Sequence, residues 1–157
     1  MPDLVTHITL SHLIRRPFNR QQKSERTVPL WILFYLGVLL PDLLTRPWYI
    51  LFPVTKDWTA PFHTPVGLLA TTALLALFFE PALRKQAFIH LSAGAGIHLV
   101  LDGFQKQVNG GNWWLFPFTW KQVRYGIAWP ETFLHLIPVW IGAVVAVEIV
   151  LAMRRKR

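Results

Sequence analysis

His98 and Asp102 are the residues whose types and spacing best suit chemistry. They lie four residues apart near the end of an apolar run that opens at Ala87. On a helix, this spacing puts both side chains on one face, where they can reach a single ion or water molecule. Ionisable groups in apolar surroundings are costly unless they have a partner. The pair therefore belongs either to a functional site or to a structural hydrogen-bonded pair, and the sequence leaves both interpretations open.

Three further polar residues stand alone in apolar surroundings, and each has a structural alternative. Asp42 follows Pro41 inside an apolar run, where it could form an ion site at a helix break or pair with Arg46 at i+4. His63 lies just before a helix, between two prolines that restrict its conformation, and could be a ligand, a capping residue or an interface residue. For His7, an interfacial position on an amphipathic helix is the default expectation.

The donor atoms of Asp42, His63, His98 and Asp102 suit zinc, manganese or iron rather than a sulfur-loving metal. A bound ion of this kind would lower the pKa of its water and create a nucleophile near pH 7, and a free carboxylate could take the proton. Asp42 and Asp102 are therefore the candidate catalytic carboxylates. The short hydrolase motifs H-E-x-x-H and G-x-S-x-G and the P-loop do not occur in the sequence.

The composition is typical of a membrane protein. The 157 residues are 53% hydrophobic and 15% charged, whereas soluble domains carry about 25% charged residues. Eight tryptophans and eleven phenylalanines fit aromatic belts at the membrane interfaces. The net charge of +8 comes from basic bunches at 15–26, 84–85 and 154–157, each beside an apolar run. We therefore interpret the charge as a topology signal and expect no nucleic-acid partner. The absence of cysteine excludes disulfides and thiolate metal sites.

The hydrophobic pattern predicts an all-α protein, a single helical membrane domain over residues 1–157. A short helix at 3–14 should precede four spans, since a span needs about 20 residues. The four spans are expected at 30–52, interrupted at Pro41 and Asp42, and at 66–79, 86–102 and 133–153. The charge distribution places both termini in the cytoplasm and the loops 53–65 and 103–130 outside. His7 can then reach the other candidates only if its helix, about 18 Å long, dips into the membrane as a re-entrant element.

The order of these motifs resembles the YdjM-type, LexA-regulated inner-membrane metal-dependent hydrolases. The segments that carry the resemblance are Thr6-His7, Leu39-Leu40-Pro41-Asp42, His63-Thr64, His98-x-x-x-Asp102 and Trp114-Leu115-Phe116-Pro117-Phe118. Their order and rough spacing match along residues 1 to about 120. The resemblance implies a metal-hydrolase site distantly similar to zinc-dependent phospholipase C and single-strand nuclease folds. The metal ligands that it implies are His7, Asp42, His63, His98 and Asp102.

One departure from the family pattern concerns the number of metal ions. Family members often carry a His-Arg-Gly-x-Thr-His-Ser type of segment, whereas this chain has only Phe62-His63-Thr64-Pro65. One histidine is missing, which puts a two-metal site in doubt.

The expected function is a membrane-embedded hydrolase of the inner membrane. Its expected cofactor is a divalent metal ion, and zinc is the first candidate. A membrane lipid is the expected partner, and the expected substrate is a phosphoester or other ester, in a lipid or a small molecule. The alternative is a non-catalytic scaffold, regulator or transporter subunit in which the same polar residues form structural pairs. The sequence carries no signal for an oligomeric state.

Overall fold

The computed structural model describes residues 4–16, 30–106, 111–124 and 126–155. Most of the basic stretch 15–26 lies outside these ranges, as do residues 107–110 and 125 of the predicted loop 103–130. The elements are α1 Leu4–Arg15, α2 Leu30–Leu51, a 3₁₀ turn Pro53–Thr55, α3 Lys56–Thr59, a 3₁₀ turn Ala60–His63, α4 Pro65–Ala76, α5 Pro81–Gly103, α6 Pro130–His135 and α7 Ile137–Arg155. Across the described ranges no β-strand forms, and the only β-pairing there is two isolated bridges, so the all-α prediction is confirmed.

The parallel helices α2 and α5 form the centre of the bundle. Leu33 in the first half of α2 packs with Leu91 in the first half of α5. Farther along both helices, the Val38 carbonyl accepts a hydrogen bond from His98. The two helices therefore run in the same direction, from a common apolar end to a common polar one.

Two glycines allow the backbones of α2 and α5 to touch. A Cβ at Gly37 would collide with the carbonyl oxygen of Leu91, and one at Gly94 would collide with the backbone of α2. Small residues let helix backbones approach closely, and in α5 that contact belongs to Gly94. At Gly96 an added Cβ would meet nothing within 4 Å.

Two antiparallel helices pack on this centre. Ala76 at the end of α4 joins the apolar cluster at the start of α2, while Leu68 near its start packs on Leu99 of α5. The Arg15 guanidinium at the end of α1 lies 5.7 Å from the ring centre of Tyr35, near the start of α2. The first half of α1 therefore points toward the polar end of the bundle.

Two predictions about helix continuity are wrong. α2 continues through Pro41 and Pro47 instead of breaking. A proline removes one backbone donor, and the close packing of α2 on α5 keeps the remaining turns helical. The last helix, expected over 133–153, is divided at Leu136 into α6 and α7. Pro138 lies in the first turn of α7, where its missing N–H is not needed.

Two helices are long and apolar enough to cross a membrane, namely Leu30–Leu51 and Ile137–Arg154. α4 is apolar but has only 12 residues, about 18 Å of helix. α5 has 23 residues, but it is not among the candidate spans found in the described part of the chain. The structure thus supports membrane insertion through two helices and does not establish four spans.

Candidate metal centre

Five polar side chains from four parts of the chain meet at the polar end of the bundle. We call them the polar cluster; its members are His7 of α1, Asp42 of α2, His63 of the 3₁₀ turn before α4, and His98 and Asp102 of α5. His7 and His98 are completely buried, and the two aspartates are 6% and 4% exposed. The structure therefore brings together all five residues that the sequence singled out.

Asp102 lies at the centre of the polar cluster. His63 Nε2 lies 2.7 Å from Asp102 Oδ2, a hydrogen-bond distance. His7 Nε2 lies 3.4 Å from Oδ1, and His98 Nε2 lies 3.4 Å from Oδ2. Three imidazoles from three elements thus face one buried carboxylate, which is a donor set that transition metals bind.

A backbone contact fixes the tautomer of His98. Its Nδ1 lies 2.8 Å from the Val38 carbonyl oxygen. A carbonyl oxygen can only accept, so Nδ1 carries a proton, and in the neutral ring the lone pair then lies at Nε2. A hydrogen bond of this kind from the other ring nitrogen orients most metal-binding histidines.

The lone pair of His98 points at two carboxylates. His98 Nε2 lies 3.4 Å from Asp102 Oδ2 and 3.8 Å from Asp42 Oδ1. Asp102 Oδ2 already accepts a hydrogen bond from His63. His98 Nε2 and Asp42 Oδ1, however, are buried and have no hydrogen-bond partner in the described structure. Such an arrangement is unfavourable unless a proton or a cation lies among them, so the residues present fit a metal ion.

The donor atoms form two groups that share His98. His7, His98 and Asp102 make one group, and Asp42, His63 and His98 make the other; within each group the donor atoms lie within 4.8 Å of one another. In a tetrahedral zinc site the donors lie about 3.3 Å apart, given metal–ligand bonds of about 2.0–2.2 Å. Small movements of side chains would bring either group to that spacing.

Asp42 also forms the structural pair that the sequence allowed. Arg46 Nη2 lies 2.8 Å from Asp42 Oδ2, while Oδ1 is the oxygen that faces His98. The ion pair and a role in the polar cluster are therefore compatible, because each uses a different oxygen. Asp42 is held in place by this pair even though it follows a proline.

The local sequence around His63 explains its position. Thr64 is the N-cap of α4: its hydroxyl accepts a hydrogen bond from the Gly67 amide and donates one to the Pro61 carbonyl. Pro65 occupies the first turn, where proline is favoured. The capping role that was open for His63 thus belongs to Thr64, and the imidazole of His63 is directed to Asp102.

His63 lies in the turn between α2 and α4, outside the candidate spans. Burial alone would lower its pKa, but the hydrogen bond to Asp102 and the charge of that carboxylate outweigh burial and raise the pKa above its ordinary value. In the ion-free cluster His63 therefore holds a proton against Asp102. A metal ion that used His63 Nε2 would have to displace that proton.

Three features of the site had no clear signal in the sequence. The Val38 carbonyl orients His98, but a backbone group leaves no mark on residue type. Gln105 is completely buried three residues after Asp102, in a stretch that the sequence assigned to a loop. Trp114 packs on Leu68 and Leu99 beside the polar cluster, so at least one ring of the aromatic stretch belongs to the bundle.

A comparison with protein families gives one match. The family model described as YdjM inner membrane protein matches residues 1–157, the whole chain. No curated protein and no solved structure matches. The family match includes α6 and α7, which lie beyond the motifs that carried the resemblance.

Proposed function

The chain belongs to the YdjM inner membrane protein family, and we propose that it is a membrane-embedded, metal-dependent hydrolase of phosphoesters. One observation carries the proposal: the lone pair of His98 Nε2 is fixed by the Val38 carbonyl and faces two buried carboxylates. Burying hydrogen-bond acceptors without donors costs folding free energy, and polar groups do not recover it by apolar packing. A divalent cation bound among these atoms would offset that cost, and zinc is the first candidate among the metals that suit these donors.

His7, His98 and Asp102 would hold the ion, since they form the more deeply buried of the two groups. When bound, the ion supplies a water of lowered pKa and polarises the ester oxygen. Asp42 would accept the proton at Oδ1, because its other oxygen is engaged by Arg46. His63 would hold Asp102 in place through their hydrogen bond.

Two observations favour a phosphoester, and specifically one in a lipid, as the substrate. The Arg46 side chain is 26% exposed, so its guanidinium lies at the edge of the cluster where the charge of a phosphoryl group would suit it. The surface of the bundle is apolar, and the whole of the candidate span in α7 is unburied. A lipid ester would have to approach the buried cluster from this edge, past Arg46.

The alternative is a non-catalytic membrane protein that uses these residues as structural pairs. The Asp42–Arg46 ion pair and the His63–Asp102 hydrogen bond favour it, because each satisfies a buried carboxylate without a metal. Under this alternative the protein binds no metal, and the fold tolerates metal chelators.

The test measures metal content and hydrolysis on the protein purified in detergent. We expect close to one equivalent of a first-row metal, and activity toward phosphodiesters in a panel of lipid and soluble esters. His98→Ala should lose both. His90→Ala is the matched control, because His90 lies on the same helix and bonds only to the carbonyl of Gln86 in the described contacts.

The metal content and the activity of the wild-type protein distinguish the hydrolase from the structural alternative. A wild-type protein with no metal after purification without chelators would refute the hydrolase and favour the structural alternative. Metal without activity on any ester would leave a metal-binding protein and refute catalysis. Circular dichroism of each variant establishes that the loss is not a loss of fold.

A further inference from the structure

A second polar cluster joins the far end of α1 to α7. Arg16 holds both oxygens of Glu148, with Nη2 lying 2.7 Å from Oε2 and Nε paired with Oε1. His12 Nε2 lies 3.0 Å from Oε1 of the same carboxylate, and its Nδ1 lies 2.6 Å from the Tyr35 hydroxyl of α2. We call these four residues the α1–α7 latch.

The latch is the main polar feature of α7. Glu148 is the only acidic residue in that helix, and the helix is otherwise apolar until its basic end. A carboxylate in such a helix is costly unless it is paired. Two-point pairing with a guanidinium is the geometry that pairs it best. The latch therefore specifies where α7 meets α1.

The fully buried side chains of α1 are polar. The helix has 12 residues, and its buried residues are Thr6, His7 and Ser11. Helices this short are marginal by themselves, and most helices gain their stability from a buried apolar face that α1 lacks. Polar contacts at its two ends, with the latch at one and the polar cluster at the other, therefore help to fix its position, together with the packing of Arg15 on Tyr35.

The two ends of α1 move together because the helix is short and rigid. His7 is about 7.5 Å along the helix from His12 and about 13.5 Å from Arg16, from a rise of 1.5 Å per residue. A short helix moves as a rigid body, so a shift at the latch displaces His7 from its place 3.4 Å from Asp102. His7 is the residue that α1 contributes to the polar cluster, so its position depends on that of α1.

We propose that Glu148 is a positioning residue for the metal centre: by pairing with His12 and Arg16 it seats α1 so that His7 reaches Asp102. The inference rests on the proposed metal site but can be tested without it. Glu148 does not contact the ion or the substrate; it acts through the position of α1.

The first experiment reads the position of α1 directly. The chain has no cysteine, so Ser11→Cys places a single thiol on the buried face of α1, where Ser11 is completely buried. In ion-free protein, Glu148→Gln should raise the rate of maleimide labelling at this thiol about tenfold or more, the factor expected from losing a hydrogen bond to a charged group. Thr72→Cys, a completely buried site on α4, should stay protected in the same background.

The second experiment connects Glu148 to the metal. Glu148→Gln should weaken metal binding about 10–100-fold, as second-sphere changes do, while Glu131→Gln on the exposed first turn of α6 should not. In a His7→Ala background, Glu148→Gln should cause no further loss, because the residue through which it acts is gone.

The labelling and the metal-affinity results test separate parts of the proposal. Unchanged labelling at position 11 overturns the positioning role whether or not the protein binds metal. Increased labelling with additive losses of metal affinity overturns the connection through His7. Increased labelling in a protein that binds no metal supports the seating of α1 by Glu148 and refutes the proposed function alone.

Discussion

Gly94→Ala tests whether the close approach of α2 and α5 sets the geometry of the polar cluster. An alanine Cβ would lie 2.7 Å from the backbone nitrogen of Val38 and closer still to the Phe34 carbonyl oxygen. Both obstacles are backbone, so neither can rotate away. The shortest contact, 2.0 Å to the Phe34 carbonyl oxygen, must lengthen to 3.4 Å for ordinary van der Waals contact, so the helices must separate by about 1.4 Å.

The displacement is large enough to affect His98, which lies one turn beyond Gly94 on the same face of α5. Its hydrogen bond to the Val38 carbonyl is 2.8 Å long, so the same separation stretches it to about 4.2 Å, where the hydrogen bond is lost. We expect overpacking to cost about 1–3 kcal/mol of stability. A misplacement of about 1 Å at a catalytic group can cost about 10²-fold in rate.

The assay is thermal stability in detergent together with metal affinity, with Gly96→Ala as the matched control. Gly96 lies two residues farther along α5, and a Cβ there meets nothing within 4 Å. Its replacement by alanine should stabilise the helix by about 0.5–1 kcal/mol and leave metal binding unchanged. Equal effects of the two substitutions, or a Gly94→Ala protein that binds metal as the wild type does, would refute the reasoning.

Three further predictions follow from the site and the bundle. Asp102→Asn should lose the metal, whereas Asp42→Asn should keep the metal and lose about 10²–10⁴-fold in turnover, the usual contribution of a general base. Metal analysis and a rate assay on both variants distinguish these results, and loss of metal from both would make Asp42 a ligand instead. Adding the metal at 100 times its dissociation constant should stabilise the purified protein by about 2.7 kcal/mol, and a chelator should reverse the gain, which a denaturation series in detergent measures. Reporter fusions near 58, 84, 112 and 157 should report outside, inside, outside and inside, because the ends of α2 and α5 lie at one end of the bundle; a cytoplasmic signal at 112 would contradict this topology.

The sequence by itself determined the features that depend on neighbours within one turn. Hydrophobic periodicity predicted helices close to α1, α2, α4 and α5, and the i,i+4 spacing predicted that His98 and Asp102 share a face and that Asp42 can pair with Arg46. Local geometry is sufficient for such predictions, since a helix fixes the relation between residues three and four apart. The family also followed from the order of its motifs.

Local patterns misled where packing competes with a backbone preference. Pro41 indicated a break, yet α2 is continuous because it packs closely along α5. The apolar run after Phe133 suggested one helix, yet it forms two. Hydropathy alone predicted four spans, and within the described ranges two helices combine the necessary length with sufficient apolarity.

Only the tertiary structure decided how the polar residues come together. His7 reaches Asp102 because α1 runs antiparallel to α2, and His63 reaches it across 39 residues because Thr64 begins α4 at that point. The tautomer of His98 depends on a carbonyl 60 residues away. Contacts of this kind depend on the crossing of whole helices, which glycine contacts and polar pairs between helices set, and no periodicity within one segment encodes them.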